Sequence, residues 1–286
     1  MTLLMLVAMM ALGACEKAVV DEQPEEAKPV EGNVIIRTSL YNIVPFETRA
    51  VQHVADFSNM LKFVFYQDNE KVKDLTQKKD DGNYGEVGLT LQPGTYQLLV
   101  LAHSSASNPT LSDPTSIQFT NTTGYSDTFY YYGDIVVTKE QQTHDVRLQR
   151  ATSMVRVTIT DDIPAEVKRI RLYYTGESGV FNAVTGMGGT VNSKQSVTFS
   201  VEDKTAPLAL SAYTFLRNET GTLNMTITAY DANDNVKVEK ELKNIPMKNR
   251  MVTEYSGNLF TAQSNTATNF NLTAETEWEV YQQQTF

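Results

Sequence analysis

One thiol, three imidazoles and a few clustered carboxylates are the groups from which this chain could build chemistry. Cys15 is the only cysteine in 286 residues and directly follows the apolar run 3–14, where its thiol is placed to carry a lipid. With that thiol acylated no disulfide can staple the fold, so stability must come from packed cores. The histidines are His53, His103 and His144. None lies within four residues of another or in a His-Glu-x-x-His pattern, so zinc has no local signature and each reads as a surface or strand residue. No Gly-x-Ser-x-Gly turn, phosphate-cradling Gly-Lys-Ser/Thr loop or dinucleotide fingerprint occurs. Asp231, Asn233 and Asn235 match the odd positions of a calcium loop, but Val236 stands at its sixth position and Leu242 at its twelfth, where glycine and glutamate are needed. A hairpin tip explains these residues with less. Asp161-Asp162 before Ile163-Pro164 reads as a turn. Glu275, Glu277 and Glu279 flank Trp278, which reads as a sugar-binding aromatic or, more simply, as core packing. The expectation is a protein without catalysis, cofactor or metal.

The leader is more specific. Leu12-Gly13-Ala14-Cys15 resembles a bacterial lipobox, where a signal peptide is cut before a cysteine that receives lipid. The apolar run is too short for a membrane span, which takes about 20 residues. It fits the apolar core of a signal peptide ending in small residues. The alternative is an ordinary secretory leader with a chance cysteine. No Lys or Arg precedes Lys17, so the basic stretch that usually opens such a leader is expected upstream of Met1. Residues 16–32 are acidic and contain Pro24 and Pro29, the composition of a tether. Glu16, Asp21, Glu22, Glu25 and Glu26 loosely resemble the export signal of surface lipoproteins in the Bacteroidetes; a plain solvated linker accounts for them too.

The formal charge of −10 argues against nucleic acid or an anionic membrane surface as a charge-driven partner. From Asn33 onward short alternating runs are separated by turn residues, which predicts an all-β chain. Val155, Val157 and Ile159 share one face of a predicted strand, and Leu223, Met225, Ile227 and Ala229 share one face of another. Val34–Leu40, Leu61–Gln67, Thr95–Ala102 and Phe129–Thr138 are further candidates. Pro93-Gly94 and Asp231–Asn235 are the turns. Val51–Leu61 has room for a turn or two of helix. Tyr130-Tyr131-Tyr132 puts an aromatic on both faces of one strand, as suits a central strand. So many strands at this spacing predict β-sandwiches. About half the runs lie on each side of Arg150. The expected division is a signal peptide at 1–14, a tether at 15–32, and sandwiches at 33–150 and 151–286.

The second half resembles a known family. A strand over Leu223–Tyr230, a second over Val236–Leu242, then Ile245-Pro246-Met247-Lys248-Asn249, Thr253 and Gly257-Asn258-Leu259-Phe260 resemble the fimbrillin superfamily of the Bacteroidales. Phe129-Tyr130-Tyr131-Tyr132-Gly133-Asp134, Val146-Arg147-Leu148-Gln149-Arg150-Ala151 and Leu91-Gln92-Pro93-Gly94-Thr95-Tyr96 fit the same order. The resemblance spans nearly all of 33–280 through many weak motifs behind a lipobox. It implies two transthyretin-like Greek-key sandwiches in a fimbrial subunit exported as a lipoprotein to the cell surface. In that family, stalk subunits lose their N-terminus to an arginine-specific protease, and a neighbour's strand fills the groove. Anchor subunits keep their lipid and hold the fibre to the outer membrane. The chain looks closest to the anchor group, with lipid on Cys15 and other fimbrial subunits as partners. Arg49-Ala50 lies where stalk subunits are cut, so a matured stalk or tip subunit is the first rival. A surface glycan-binding lipoprotein is the second.

Overall fold

A computed structural model describes residues 31–40, 53–106, 108–120, 125–189, 192–261 and 280–285. In chain order the first strands are β1 (Val34–Leu40), β2 (Met60–Gln67), β3 (Glu70–Lys78), β4 (Glu86–Leu89), β5 (Gly94–His103), β6 (Ile117–Gln118), β7 (Phe129–Val137) and β8 (Gln142–Arg150). The rest are β9 (Ser153–Ile159), β10 (Arg169–Ser178), β11 (Val180–Asn182), β12 (Met187–Gly188), β13 (Asn192–Ser200), β14 (Leu208–Thr214), β15 (Thr220–Tyr230), β16 (Val236–Lys248), β17 (Val252–Gly257) and β18 (Val280–Thr285). Among the described residues the only helical element is a 3-10 turn at Val54–Asp56. The helix-spaced residues Val54, Phe57 and Leu61 therefore split between that turn and the start of β2. The chain is all-β.

The first strands form one continuous order, β3-β2-β5-β7-β8-β1-β4. It folds over at the junction of β7 and β8, which pair only at Phe129↔Arg150 and Tyr130↔Gln149. Two layers result. Phe63, Phe65, Leu98 and Val100 on one meet Val34, Ile36, Val87 and Leu148 on the other. Side chains two residues apart share a face, so these pairs enter the core together, while β2 and β5 bury their other face as well. Fully burying one such side chain contributes roughly 1.5–3 kcal/mol.

The second pair of layers is β13-β10-β15-β16 and β14-β9-β17-β18. Val155, Val157 and Ile159 of β9 are fully buried, as the alternation predicts. They face Ile170 and Leu172 of β10 and Leu223, Met225 and Ile227 of β15. This is a β-sandwich core.

A third cluster joins the two. Val64, Tyr66, Leu99, Leu101 and Tyr130 lie on the outer face of β2, β5 and β7, and pack with Ile117, Phe119, Tyr125, Phe181 and Phe215. The rings of Phe119, Phe181 and Tyr125 each lie 5.2–5.3 Å from that of Phe215. The small sheet β12-β11-β6 adds main-chain bonds here, because β6 comes from the first half of the chain and β11 from the second. Nearby, Arg150 grips Asp127 with Nε and Nη2 at 2.9 and 2.8 Å, the two-point geometry of a strong ion pair. Tyr130 and Tyr132 turn toward this third cluster and Tyr131 toward the first core, so β7 is packed on both faces.

Candidate functional site

The strands at the two ends of the described fold are the natural place to look for assembly. Gly32 and Asn33 set the start of β1. Gly32 has φ +124°, and a Cβ there would come within 2.2 Å of the Leu89 carbonyl oxygen. Asn33 ties three segments together. Its Nδ2 donates to the carbonyls of Leu91 and Thr138 at 2.9 and 2.7 Å, and its Oδ1 accepts from the Leu91 N–H at 3.0 Å. From there β1 runs between two partners. It pairs in parallel with β8 from Val34↔Gln142 to Leu40↔Leu148, and antiparallel with β4 from Val34↔Leu89 to Arg37↔Glu86. Val34 and Ile36 are fully buried. Removing β1 would leave a slot between β8 and β4 with an apolar floor and two unpaired main-chain rims.

β18 is placed differently. Among the described residues it lies at the outer edge of its sheet and pairs in parallel with β17 alone, from Val252↔Val280 to Ser256↔Thr285. β17 also runs parallel to β9 on its other side. Behind it Glu254 is buried and accepts from Arg156 Nη1 at 2.8 Å.

Two of the aspartates singled out in the sequence, Asp231 and Asp161, close turns, while Glu275, Glu277 and Glu279 lie outside the described residues. Asp231 caps the tip between β15 and β16. Its Oδ1 accepts from the N–H groups of Asn233 and Asn235, both at 2.9 Å, and its Oδ2 from Asn235 Nδ2 at 3.0 Å. The Asn235 side-chain bond, with these backbone donors, lowers its pKa to about 2. The hairpin tip thus accounts for the acidic residues. Asp161 does more than turn the chain. Its carboxylate accepts from the backbone N–H groups of Leu259 at 2.9 Å and of Phe260 and Thr261 at 2.7 Å. Burial pushes its pKa up, but these donors outweigh burial and hold it below the usual carboxylate value. No local sequence signal marks this clamp, because its partners lie about a hundred residues away.

The histidines stay apart. His53 is exposed and His144 half-buried on β8. His103, at the end of β5, is fully buried against the edge of Phe119. Neither of its ring nitrogens has a hydrogen-bond partner among the described residues. Burial, and then the charge of Lys62, lowers its pKa to about 4, so it is neutral in the fold. Among the described residues no three His, Cys, Asp or Glu side chains converge on a point that could hold a metal ion. Among them, too, no helix is long and apolar enough to cross a membrane. Cys15, Arg49, Ala50 and Trp278 lie outside the described residues.

No curated protein matches the chain. Several solved structures superpose on it in part. One is described as a polysaccharide-binding candidate (DUF1812) from Bacteroides thetaiotaomicron: 13% identical, TM-score 0.49, covering 75% of this chain and 80% of that one. Another is the fimbrial anchor protein Mfa2 of Porphyromonas gingivalis: 12% identical, TM-score 0.41, covering 74% and 82%. A third is the tip fimbrial protein Mfa3 of Porphyromonas gingivalis with a C-terminal truncation: 10% identical, TM-score 0.39, covering 78% and 93%. All three superpositions stay below one half, so the fold described above stands on the chain's own sheets. The sequence itself gives the firmer result: the model of a family of unknown function, DUF6562, matches residues 28–285, nearly the whole chain, and the protein belongs to that family.

Proposed function

We propose that this protein is a fimbrial subunit of the cell surface, held to the outer membrane by lipid on Cys15 and joined to other subunits by β-strand addition. Its two sandwiches would be transthyretin-like Greek keys, and its role structural, without catalysis. The observation that carries the reading is the placement of β1, an apolar strand inserted between β8 and β4. Its fit is the kind that a neighbour's strand can reproduce, with main-chain bonds for affinity and alternate side chains for register. The ordered motifs behind the lipobox support the same conclusion.

Within that reading we favour the anchor. A chain that keeps β1 keeps its slot filled and stays attached to its lipid. It can then join a fibre only by giving a strand, and β18, bound along one side only, is the strand available to give. Each lipid CH₂ buried in the bilayer contributes about 0.8 kcal/mol, so two or more acyl chains hold stably. The rival is a stalk or tip subunit cut after Arg49, which would vacate the slot.

The mature N-terminus on intact cells and in fibres decides between them. For an anchor, fibre-associated protein starts at lipidated Cys15, Cys15→Ser moves it to a soluble fraction, and Arg49→Ala leaves assembly intact. Fibre-associated protein starting at Ala50, with assembly lost in Arg49→Ala, would make it a stalk subunit. Normal membrane retention of Cys15→Ser in the absence of any retaining partner would sink the lipoprotein assignment.

A further inference from the structure

The second sandwich carries a feature formed by neither β1 nor β18. On the face of β10, β15 and β16 turned away from the core lies a cleft of about 300 Å³, lined by Tyr173, Thr175, Asn224, Thr226, Glu241 and Lys243. Its origin is a β-bulge. Pairing of β15 with β16 passes from Met225↔Leu242 to Leu223↔Ile245, so Lys243 and Asn244 together oppose the single Asn224. Asn244 takes up the extra residue in left-handed backbone, with φ +53°. Its N–H donates to Asn224 Oδ1 at 2.9 Å. A bulge of this kind bends the strand and re-aims the side chains beside it. Here it holds the Asn224 amide by its oxygen and leaves the NH₂ group free to donate outward.

The lining groups then fall into rows. Tyr173 pairs with Thr226, and Thr226 with Glu241, so one aromatic, one hydroxyl and one carboxylate stand side by side across three strands. Thr175 and Asn224 form the next row. Side chains directly opposite in such pairs lie about 5 Å apart. Lys243 Nζ sits 2.9 Å from Glu241 Oε2, and both are largely exposed, so the cleft as a whole carries no net charge.

We infer that this cleft is a binding subsite for a neutral saccharide. A pyranose presents an apolar C–H face, which the Tyr173 ring can cover, and a rim of hydroxyls. Those hydroxyls would exchange water for the Asn224 amide, the threonine hydroxyls, the Glu241 carboxylate and the Lys243 ammonium. A charged ligand gains nothing from the cancelled Glu241–Lys243 pair. The volume is at the lower end for small-molecule sites, enough for one or two sugar rings. Glu241 is the only carboxylate in the lining, whereas glycoside hydrolysis takes two flanking the scissile bond, so the site holds its ligand unchanged. The subsite stands whether or not the chain is a fibre subunit.

Saturation-transfer NMR on the full chain tests it, with maltotriose, cellotriose, mannotriose and N-acetyllactosamine as probes. At least one should bind with a Kd on the order of 1 mM. Tyr173→Ala should weaken that binding about tenfold by removing the stacking surface, and Tyr173→Phe should keep it within about twofold. Asn224→Ala should weaken it too, and loss of the bond from the Asn244 N–H should lower the melting temperature only slightly, since Asn224 is exposed. No binding by any of the four at about 10 mM overturns the inference. So does binding indifferent to Tyr173→Ala, or tighter binding of trigalacturonate, a charged trisaccharide, than of every neutral probe.

Discussion

The first and last strands of the described fold occupy opposite positions. β1 is inside: two neighbours bond its main chain, and Val34 and Ile36 are fully buried in the first core. β18 is outside, bonded among the described residues along one edge by β17 alone. The difference shows what exchange demands of each. Losing β1 uncovers an apolar floor and two main-chain rims, so the strand can leave only if it is cut away and replaced. Losing β18 exposes one rim, which water can satisfy at little net cost because a protein–water hydrogen bond replaces each one lost. A subunit built this way can give its last strand far more readily than it can surrender its first.

Ile36→Asp paired with deletion of the chain from Val280 onward gives the sharpest test of that contrast. The aspartate places an unpaired carboxylate in the first core. It should cost about 4 kcal/mol or more and leave the first half unfolded. The deletion removes main-chain bonds but also releases the entropy held in ordering the strand, and should cost under about 2 kcal/mol. Urea unfolding followed by tyrosine fluorescence reads both. Equal losses would mean that β18 is as integral as β1, and the contrast would fail.

How much of this was legible in the sequence depended on burial. Val34–Leu40 is legible end to end, because a strand buried in a core carries a run of apolar residues bounded by turn chemistry. β3 is not. Glu70-Lys71-Val72-Lys73-Asp74 is an exposed edge, kept charged and therefore without alternation, as edge strands commonly are. β11 and β12 are too short to show a period, and the Phe181–Phe215 contact joins segments that no local pattern connects. The bulge behind the saccharide cleft leaves one faint trace, an asparagine at the position that needs left-handed backbone. Cys15 and Arg49 are the reverse case: conspicuous in the sequence, and outside the described residues.

Acid should separate the two halves. Folded His103 has its pKa lowered to about 4 by burial and then by Lys62, against an ordinary value of 6.5. As pH falls from 6.5 toward 4 the unfolded chain takes up a proton that the folded chain refuses. Stability therefore falls across that window, by about 3 kcal/mol at its acid end. His103→Leu should abolish this loss. The check is the difference in urea midpoint between pH 7 and pH 4.5 for wild type and variant; parallel losses would clear His103 of responsibility. The second half has no histidine, and its Asp161 clamp, which also weakens as pH falls, does so only below the ordinary carboxylate value, under this window.

Asp161→Ala sharpens the β18 side of the comparison. The clamp fixes Leu259, Phe260 and Thr261, the last residues described before the chain reaches β18. If β18 is held only by its edge, this carboxylate is the firm point from which the strand departs, and its loss should loosen the departure without touching β1. With its folded pKa below the ordinary value, the clamp's contribution is present above about pH 4 and is lost as pH falls through the folded pKa. Discounted for its partial exposure, the substitution should cost about 1–2 kcal/mol at pH 7, and progressively less as pH falls below the ordinary carboxylate value. Hydrogen exchange gives the local reading. Protection of the Phe260 and Thr261 amides should fall about tenfold, the exchange equivalent of that free energy, while the amides of Ile35 and Ile36 keep theirs. A uniform loss across both strands would mean that the two ends are one cooperative unit. β18 could not then be given away while β1 stays in place, and the anchor proposed here would have no strand to offer.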